Sequence, residues 1–179
     1  MALDATVGTG RDTKALASIV GDSGRVFGFD VQSSALDMTR ERLAKAGLMA
    51  RVTLFEAGHE RMAEFLPPSV RGRIDVAMFN LGYLPGGDHH LTTCAENTVA
   101  ALTEALRCLS PGGLLTVMCY PGHPEGAFEC RAVENWTKGL EEAFFCEWVD
   151  AVLQNPDRPS PRLLLIRTPC PVCGLHTAS

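Results

Sequence analysis

The chain has no apolar run approaching the roughly 18 residues that a membrane-spanning helix requires. Its opening residues, MALDATVGTG, lack the basic n-region and long apolar h-region of a secretory signal. No membrane partner is therefore expected. There is no excess of positive charge either: 16 Lys and Arg stand against 21 Asp and Glu, a net charge of −5. That balance argues against a protein that coats nucleic acid nonspecifically, while leaving room for a local basic patch on an enzyme that visits RNA briefly. Internal repeats and low-complexity tracts are absent. The seven cysteines are odd in number, and five fall in segments that read as helix or strand, the usage of small buried hydrophobes in a reducing compartment. The expected location is the cytoplasm, or an organelle if a targeting segment has been removed. The first strand begins almost at residue 2, so a further N-terminal piece is expected to precede it.

What is present is the composition of an ordinary globular protein, 46% hydrophobic and 21% charged over 179 residues, enough for one large core. Short apolar runs alternate with longer amphipathic ones. Strands are expected at 2–6, 25–30, 51–57, 73–80 and 114–120. Helices are expected at 12–20, 33–47, 91–109 and 129–145, with a short one ended by Pro67 and Pro68. Residues 146–154 and 162–168 read as two final strands joined by the turn-rich NPDRPSP. This pattern predicts an α/β fold, a Rossmann-like, mostly parallel seven-stranded sheet covered by helices on both faces, with one antiparallel strand in the edge region. Residues 1–168 would form the domain and 169–179 a tail.

In such sheets ligands lie at the carboxyl ends of the strands, and every unusual stretch here falls at one. The first strand leads into DATVGTGRDT, Asp4 to Thr13, where Gly8 and Gly10 would let the backbone turn tightly at a helix N-terminus. Asp30 ends the second strand, placed to accept both hydrogens of a ribose diol. A dinucleotide fingerprint would need glycine at position 13, where this chain has Thr13, and Asp12 in the turn would repel a pyrophosphate. A cofactor with a ribose and a cationic amino-acid end would instead suit Asp4 and Asp12. S-adenosylmethionine has these features and no phosphate.

The third strand ends in EAGHE, where His59 would lie beside an adenine. The fourth ends in NLGYLPGG, 80–87. There the Asn80 carbonyl could hold an amine N–H and turn the nitrogen lone pair towards a methyl group, and Tyr83 could stack on a planar base. The fifth delivers YPGHPEG, 120–126, in which His123 could take the proton of an alkylammonium. In the tail, Cys170, Cys173 and His176 have the spacing of three zinc ligands, but no second pair accompanies them and no metal site is expected. Arg40, Arg42, Lys45, Arg71, Arg73, Arg158 and Arg162 are candidate phosphate contacts, although a solvated helix face is the default reading for the first three.

DATVGTGRDT, GFDVQ, MFNLGYLPGGD and YPGHPEG, in this order, resemble one small methyltransferase family long labelled rRNA methylase. Its characterised members methylate the aminomethyl group on the wobble uridine of tRNA, giving 5-methylaminomethyl-2-thiouridine. The resemblance spans residues 3 to about 168. It implies a class I S-adenosylmethionine fold and tRNA, at its anticodon region, as substrate. It also implies Thr6, Gly8, Gly10, Asp12 and Thr13 at the methionine end of the cofactor, Asp30 and Gln32 at the ribose, and His59 at the adenine. Asn80, Tyr83 and His123 would face the incoming amine. The chain departs from the family at Thr9 and Gly58, and in lacking a helical segment before the first strand. Methylation of rRNA or a small-molecule amine, and a cofactor-binding module without catalysis, are the alternatives. A homodimer is compatible with all three.

Overall fold

The computed structural model describes residues 1–82, 93–140, 142, 144–150 and 159–170. In chain order they form β1 (Ala2–Asp4), α1 (Arg11–Ile19), β2 (Val26–Asp30), α2 (Ser33–Lys45), β3 (Val52–Glu56) and the single-turn α3 (Met62–Phe65). There follow β4 (Ile74–Asn80), α4 (Ala95–Cys108), β5 (Leu109–Cys119), α5 (Pro124–Lys138), β6 (Phe145–Asp150) and β7 (Arg162–Arg167). One seven-stranded sheet contains every strand, in the order β3-β2-β1-β4-β5-β7-β6. β7 runs antiparallel to both of its neighbours. The antiparallel strand is thus second from the edge, and β6 is the edge itself.

Alternation along the strands sends successive side chains to opposite faces. Leu3, Phe29, Phe79, Leu115 and Ile166 belong to the larger core, under α4 and α5. Ala2, Val26 and Val52 meet Leu16, Ala17 and Leu43 on the other face. Each helix presents the matching stripe: Leu36, Thr39 and Leu43 on α2, and Thr98, Ala101, Leu102 and Ala105 on α4, are buried at three- and four-residue spacing.

Three boundaries differ most from the expectation. β5 starts at Leu109 rather than 114, because SPGG does not stand between helix and strand. It lies inside β5 as a bulge, where the partner of β4 steps from Ile74↔Leu109 to Val76↔Leu114. α5 begins at Pro124 rather than 129: the proline sits in the first turn, and the His123 side chain caps that turn by accepting from the Gly126 N–H. The helix ends at Lys138, and β6 takes up Phe145, which was expected to close the helix.

In the parallel part of the sheet Asp4 is level with Gly28 and Met78, Asp30 with Glu56, and Asn80 with Met118. The carboxyl ends of β1, β2, β4 and β5 therefore open on one edge, and the residues singled out above gather there.

Candidate functional site

The floor of the site is the turn from β1 to α1. Gly8 and Gly10 both take positive φ, 49° and 71°. At Gly10 a side chain is excluded twice over: beyond the backbone conformation, an added Cβ would lie 2.3 Å from Thr39 Oγ1. The reason for glycine there is thus the close passage of α2. That helix grips the turn at two further points, with Thr39 Oγ1 donating to the Gly8 carbonyl at 3.3 Å and Arg42 Nε to the Thr9 carbonyl at 2.8 Å.

Asp30 ties the turn to β2. One carboxylate oxygen accepts from the Gly8 N–H at 2.7 Å, and the other accepts from the Gln32 N–H at 2.9 Å. Each oxygen keeps a further lone pair, so Asp30 can still accept from a diol while its orientation is held by two backbone groups. Gln32 is the residue before α2 and its side chain makes no capping bond.

Asp4 lies deeper, 1% exposed. It accepts from Thr13 Oγ1 at 2.6 Å and from the Thr6 N–H at 3.2 Å. Burial pushes its pKa up to about 6 against these two hydrogen bonds, and the charges of Asp12 and Asp30 push in the same direction. Three carboxylates, Asp4, Asp12 and Asp30, around one turn favour a positive ligand there. A phosphate would meet the opposite field.

His59, in a 3₁₀ turn after β3, is 7% exposed. Its Nδ1–H donates to the Ala5 carbonyl at 3.2 Å, which sets the tautomer and leaves Nε2 as the acceptor edge. Its ring lies 5.6 Å from that of Phe79. Burial lowers its pKa, so the neutral form is favoured.

Asn80, the last residue of β4, is exposed. Its backbone N–H donates to Thr6 Oγ1 at 2.7 Å, joining the β4 end to the β1 turn. Its side chain lies beside Tyr120, the residue after β5. Burial raises the Tyr120 pKa, with a further push from the Asp12 charge, while the neighbouring Asn80 side chain lowers it. Tyr120 had no role assigned from sequence. The signal was its place at a strand's C-terminal end; the partner across the sheet was not legible.

On the α5 side, His123 Nδ1 accepts from the Gly126 N–H at 3.1 Å and lies 3.3 Å from Glu125 Oε2. The neutral ring is thus held by a donor, and a protonated ring has a carboxylate beside the same nitrogen. Glu129, 4% exposed, was also missed by sequence reasoning. It accepts from Thr93 Oγ1 at 2.8 Å and from Thr98 Oγ1 at 2.6 Å. Thr93 Oγ1 in turn accepts from the Gly82 N–H at 2.8 Å, and the Thr93 N–H donates to the Gly82 carbonyl at 3.1 Å. Residues 82 and 93 are clasped together, and the clasp is fastened to α5.

Tyr83 lies outside the described residues, as do Cys173, His176 and Arg158. Most of the candidate phosphate contacts have internal partners. Arg40 pairs with Asp37, Lys45 with Glu41, and Arg71 with the buried Glu104. Arg162 pairs with Asp150 and Glu134 and covers the Trp148 ring. No helix among the described residues is long and apolar enough to cross a membrane.

The family described as "Putative rRNA methylase" matches residues 26–167. A curated relative from Arabidopsis thaliana, "tRNA (mnm(5)s(2)U34)-methyltransferase, chloroplastic", is 38% identical over 165 residues, 88% of this chain and 58% of its own length. The chain thus spans little more than half of that relative. A solved structure from Clostridium thermocellum, described as a "putative rRNA-methylase", superimposes with a TM-score of 0.85 at 40% identity, covering 93% of this chain and 87% of the other. A "putative methyltransferase" from Streptococcus mutans, solved in complex with SAH, gives 0.79 at 33% identity over 93% and 86%.

Proposed function

The chain belongs to the family described as "Putative rRNA methylase", and from that premise we propose that it is an S-adenosylmethionine-dependent N-methyltransferase of tRNA. Its acceptor would be the aminomethyl group of a wobble uridine, converted from 5-aminomethyl-2-thiouridine to 5-methylaminomethyl-2-thiouridine. The observation that carries this reading is the placement of Asn80. An exposed amide, held at its backbone by Thr6 and with Tyr120 beside its side chain, stands next to an acid-rich turn suited to a cation. The relative named for mnm5s2U34 methylation and the neighbour solved with SAH support the substrate and the cofactor respectively.

The donor set fits the cofactor's chemistry. Asp4 and Asp12 would receive the ammonium of the methionine end, Asp30 the ribose hydroxyls, and the Gly8–Gly10 turn would pass under the chain joining them. Thr6, Thr13 and Gln32 shape the same pocket, and His59 would border the adenine. When bound, S-adenosylmethionine would supply an electrophilic methyl group bonded to a positively charged sulfur. The chain's own residues do the rest. Asn80 Oδ1 accepts one N–H of the neutral amine and directs its lone pair into line. To accept the proton that an alkylammonium must shed first, His123 Nδ1 would release the Gly126 N–H, with Glu125 Oε2 at 3.3 Å beside that nitrogen to hold the protonated ring. Tyr83 would cover the base.

Methylation of rRNA or of a small-molecule amine is the second reading, favoured by the net charge of −5 and by the internal ion pairs of Arg40, Lys45, Arg71 and Arg162. The experiment that decides is methyl transfer from labelled S-adenosylmethionine to tRNA lacking the terminal methyl, followed by nucleoside analysis. Label in 5-methylaminomethyl-2-thiouridine is the expected result. Cofactor binding by calorimetry without label in tRNA would move the acceptor to the second reading.

A further inference from the structure

We propose that the outer face of α5 is a docking surface for an unpaired stretch of the RNA substrate: Phe128 stacks on a base, and Arg131 and Lys138 take phosphates of the same strand. This inference rests on the proposed RNA substrate and assigns the surface that holds the strand beside the acceptor nucleotide.

α5 buries Gly126, Glu129, Cys130 and Val133. At about 3.6 residues per turn its opposite side carries Phe128, Arg131, Asn135 and Lys138, which follow at three- and four-residue steps and form one stripe. All four are exposed, Phe128 at 62%. Among the described residues Phe128 belongs to neither core. Its ring is therefore available to a partner. His123 caps this helix, and helical side chains lean towards the N-terminus. The ring thus leans towards the end of α5 where the acceptor would sit, and the stripe runs about 15 Å from it to Lys138.

The stripe carries no acid, in a chain whose net charge is −5. The carboxylates nearest to it in sequence are engaged elsewhere: Glu125 lies 3.3 Å from His123 Nδ1, and Glu134 pairs with Arg162. Lys138 donates to the neutral Asn135 Oδ1 at 3.3 Å, and Arg131 makes no ion pair among the described residues. Arg40, Lys45, Arg71 and Arg162, by contrast, are neutralised within the fold. An exposed ring in line with two available cations matches a single strand, whose bases stack on aromatic faces while its phosphates meet positive charge. A duplex keeps its bases stacked on one another and would leave the ring unused.

Fluorescence anisotropy with a labelled tRNA anticodon arm tests this without turnover. Phe128→Leu should weaken binding about tenfold and Phe128→Trp should preserve it, because leucine keeps the apolar character and loses the stacking face. Arg131→Gln combined with Lys138→Gln should reduce the slope of log Kd against log salt by about 1.4, the share of two single-strand phosphate contacts. These positions are exposed, so thermal melts should match the native protein. No binding by the native chain, equal binding by the Leu and Trp variants, or an unchanged salt slope would each overturn the inference. So would loss of self-association in Phe128→Leu with RNA binding intact, which would give the face to a second copy. Methyl label in tRNA separates this from the proposed acceptor. Label with native-like binding by Phe128→Leu keeps the acceptor and removes the surface, whereas weakened binding without label in native tRNA keeps the surface and moves the acceptor.

Discussion

Thr13 Oγ1 donates to Asp4 Oδ2 at 2.6 Å, and both side chains are almost fully removed from solvent. The threonine opens α1 and the aspartate closes β1, so this bond fixes how the first helix leaves the sheet. It is also where the turn's electrostatics can be measured. Asp4 has a folded-state pKa of about 6 against an ordinary value of 3.8. An acid whose pKa rises on folding binds its proton more tightly in the folded state. Its contribution is therefore most favourable below pH 4 and is lost as pH climbs through 6. The loss is about 3 kcal/mol. The stability difference between Asp4→Asn and the native protein should grow in the variant's favour between pH 4 and 7, read by thermal melts. A flat difference would mean that Asp4 does not titrate in this window.

Asp30→Ala and Asn80→Ala should separate binding from turnover. The first unhooks the Gly8 and Gln32 N–H groups, each bonded to a charged acceptor and worth roughly 1.5–3 kcal/mol. Calorimetric binding of S-adenosylmethionine should disappear. The second leaves the turn intact, so binding should persist while kcat falls about 100-fold. Equal loss of binding in both variants would refute this division.

Gly10→Ala should destabilise the protein by about 2 kcal/mol or more, through positive φ and the collision with Thr39. Adding Thr39→Ala should recover part of this, because it removes the collision and leaves the backbone strain. Urea denaturation of the single and double variants measures both parts. No recovery would place the whole cost in the backbone.

His123→Ala should cost about 1 kcal/mol by uncapping α5, whereas His123→Asn, itself a good cap, should restore stability. Turnover should stay low in both, since neither side chain accepts a proton. A fully active His123→Asn enzyme would reduce His123 to its cap.

Glu129→Ala strands the Thr93 and Thr98 hydroxyls and should destabilise by about 3 kcal/mol. Glu129→Gln keeps one acceptor and should lose about half of that. Faster hydrogen exchange at the Gly82 and Thr93 amides in Glu129→Ala would show that the clasp between them depends on α5.

The architecture was legible because it rests on local periodicity. Strands at β2, β3 and β4 and helices α1 and α2 came out within a few residues, since their apolar spacing and the glycines that end them lie in the same short segments. The start of α5 was misread because its cap is a histidine, a type far less frequent at that position than Ser, Thr, Asp or Asn. The bulge in β5 was misread because SPGG has the composition of a free turn, and it is held to the sheet by the β4 pairs that flank it and by bonds to Thr168 and Pro169, just past β7.

The sequence by itself determined the order of the elements and the fact that the unusual residues sit at the carboxyl ends of strands, because both follow from the chain's period and its punctuation. Tertiary structure alone decided that Gly10 is shaped by α2, that Arg162 is spent on Asp150, Glu134 and Trp148, and that Asn80 meets Tyr120. These contacts join residues far apart in the chain. Nothing in local spacing records them, for they exist only once the strands have taken their places beside one another.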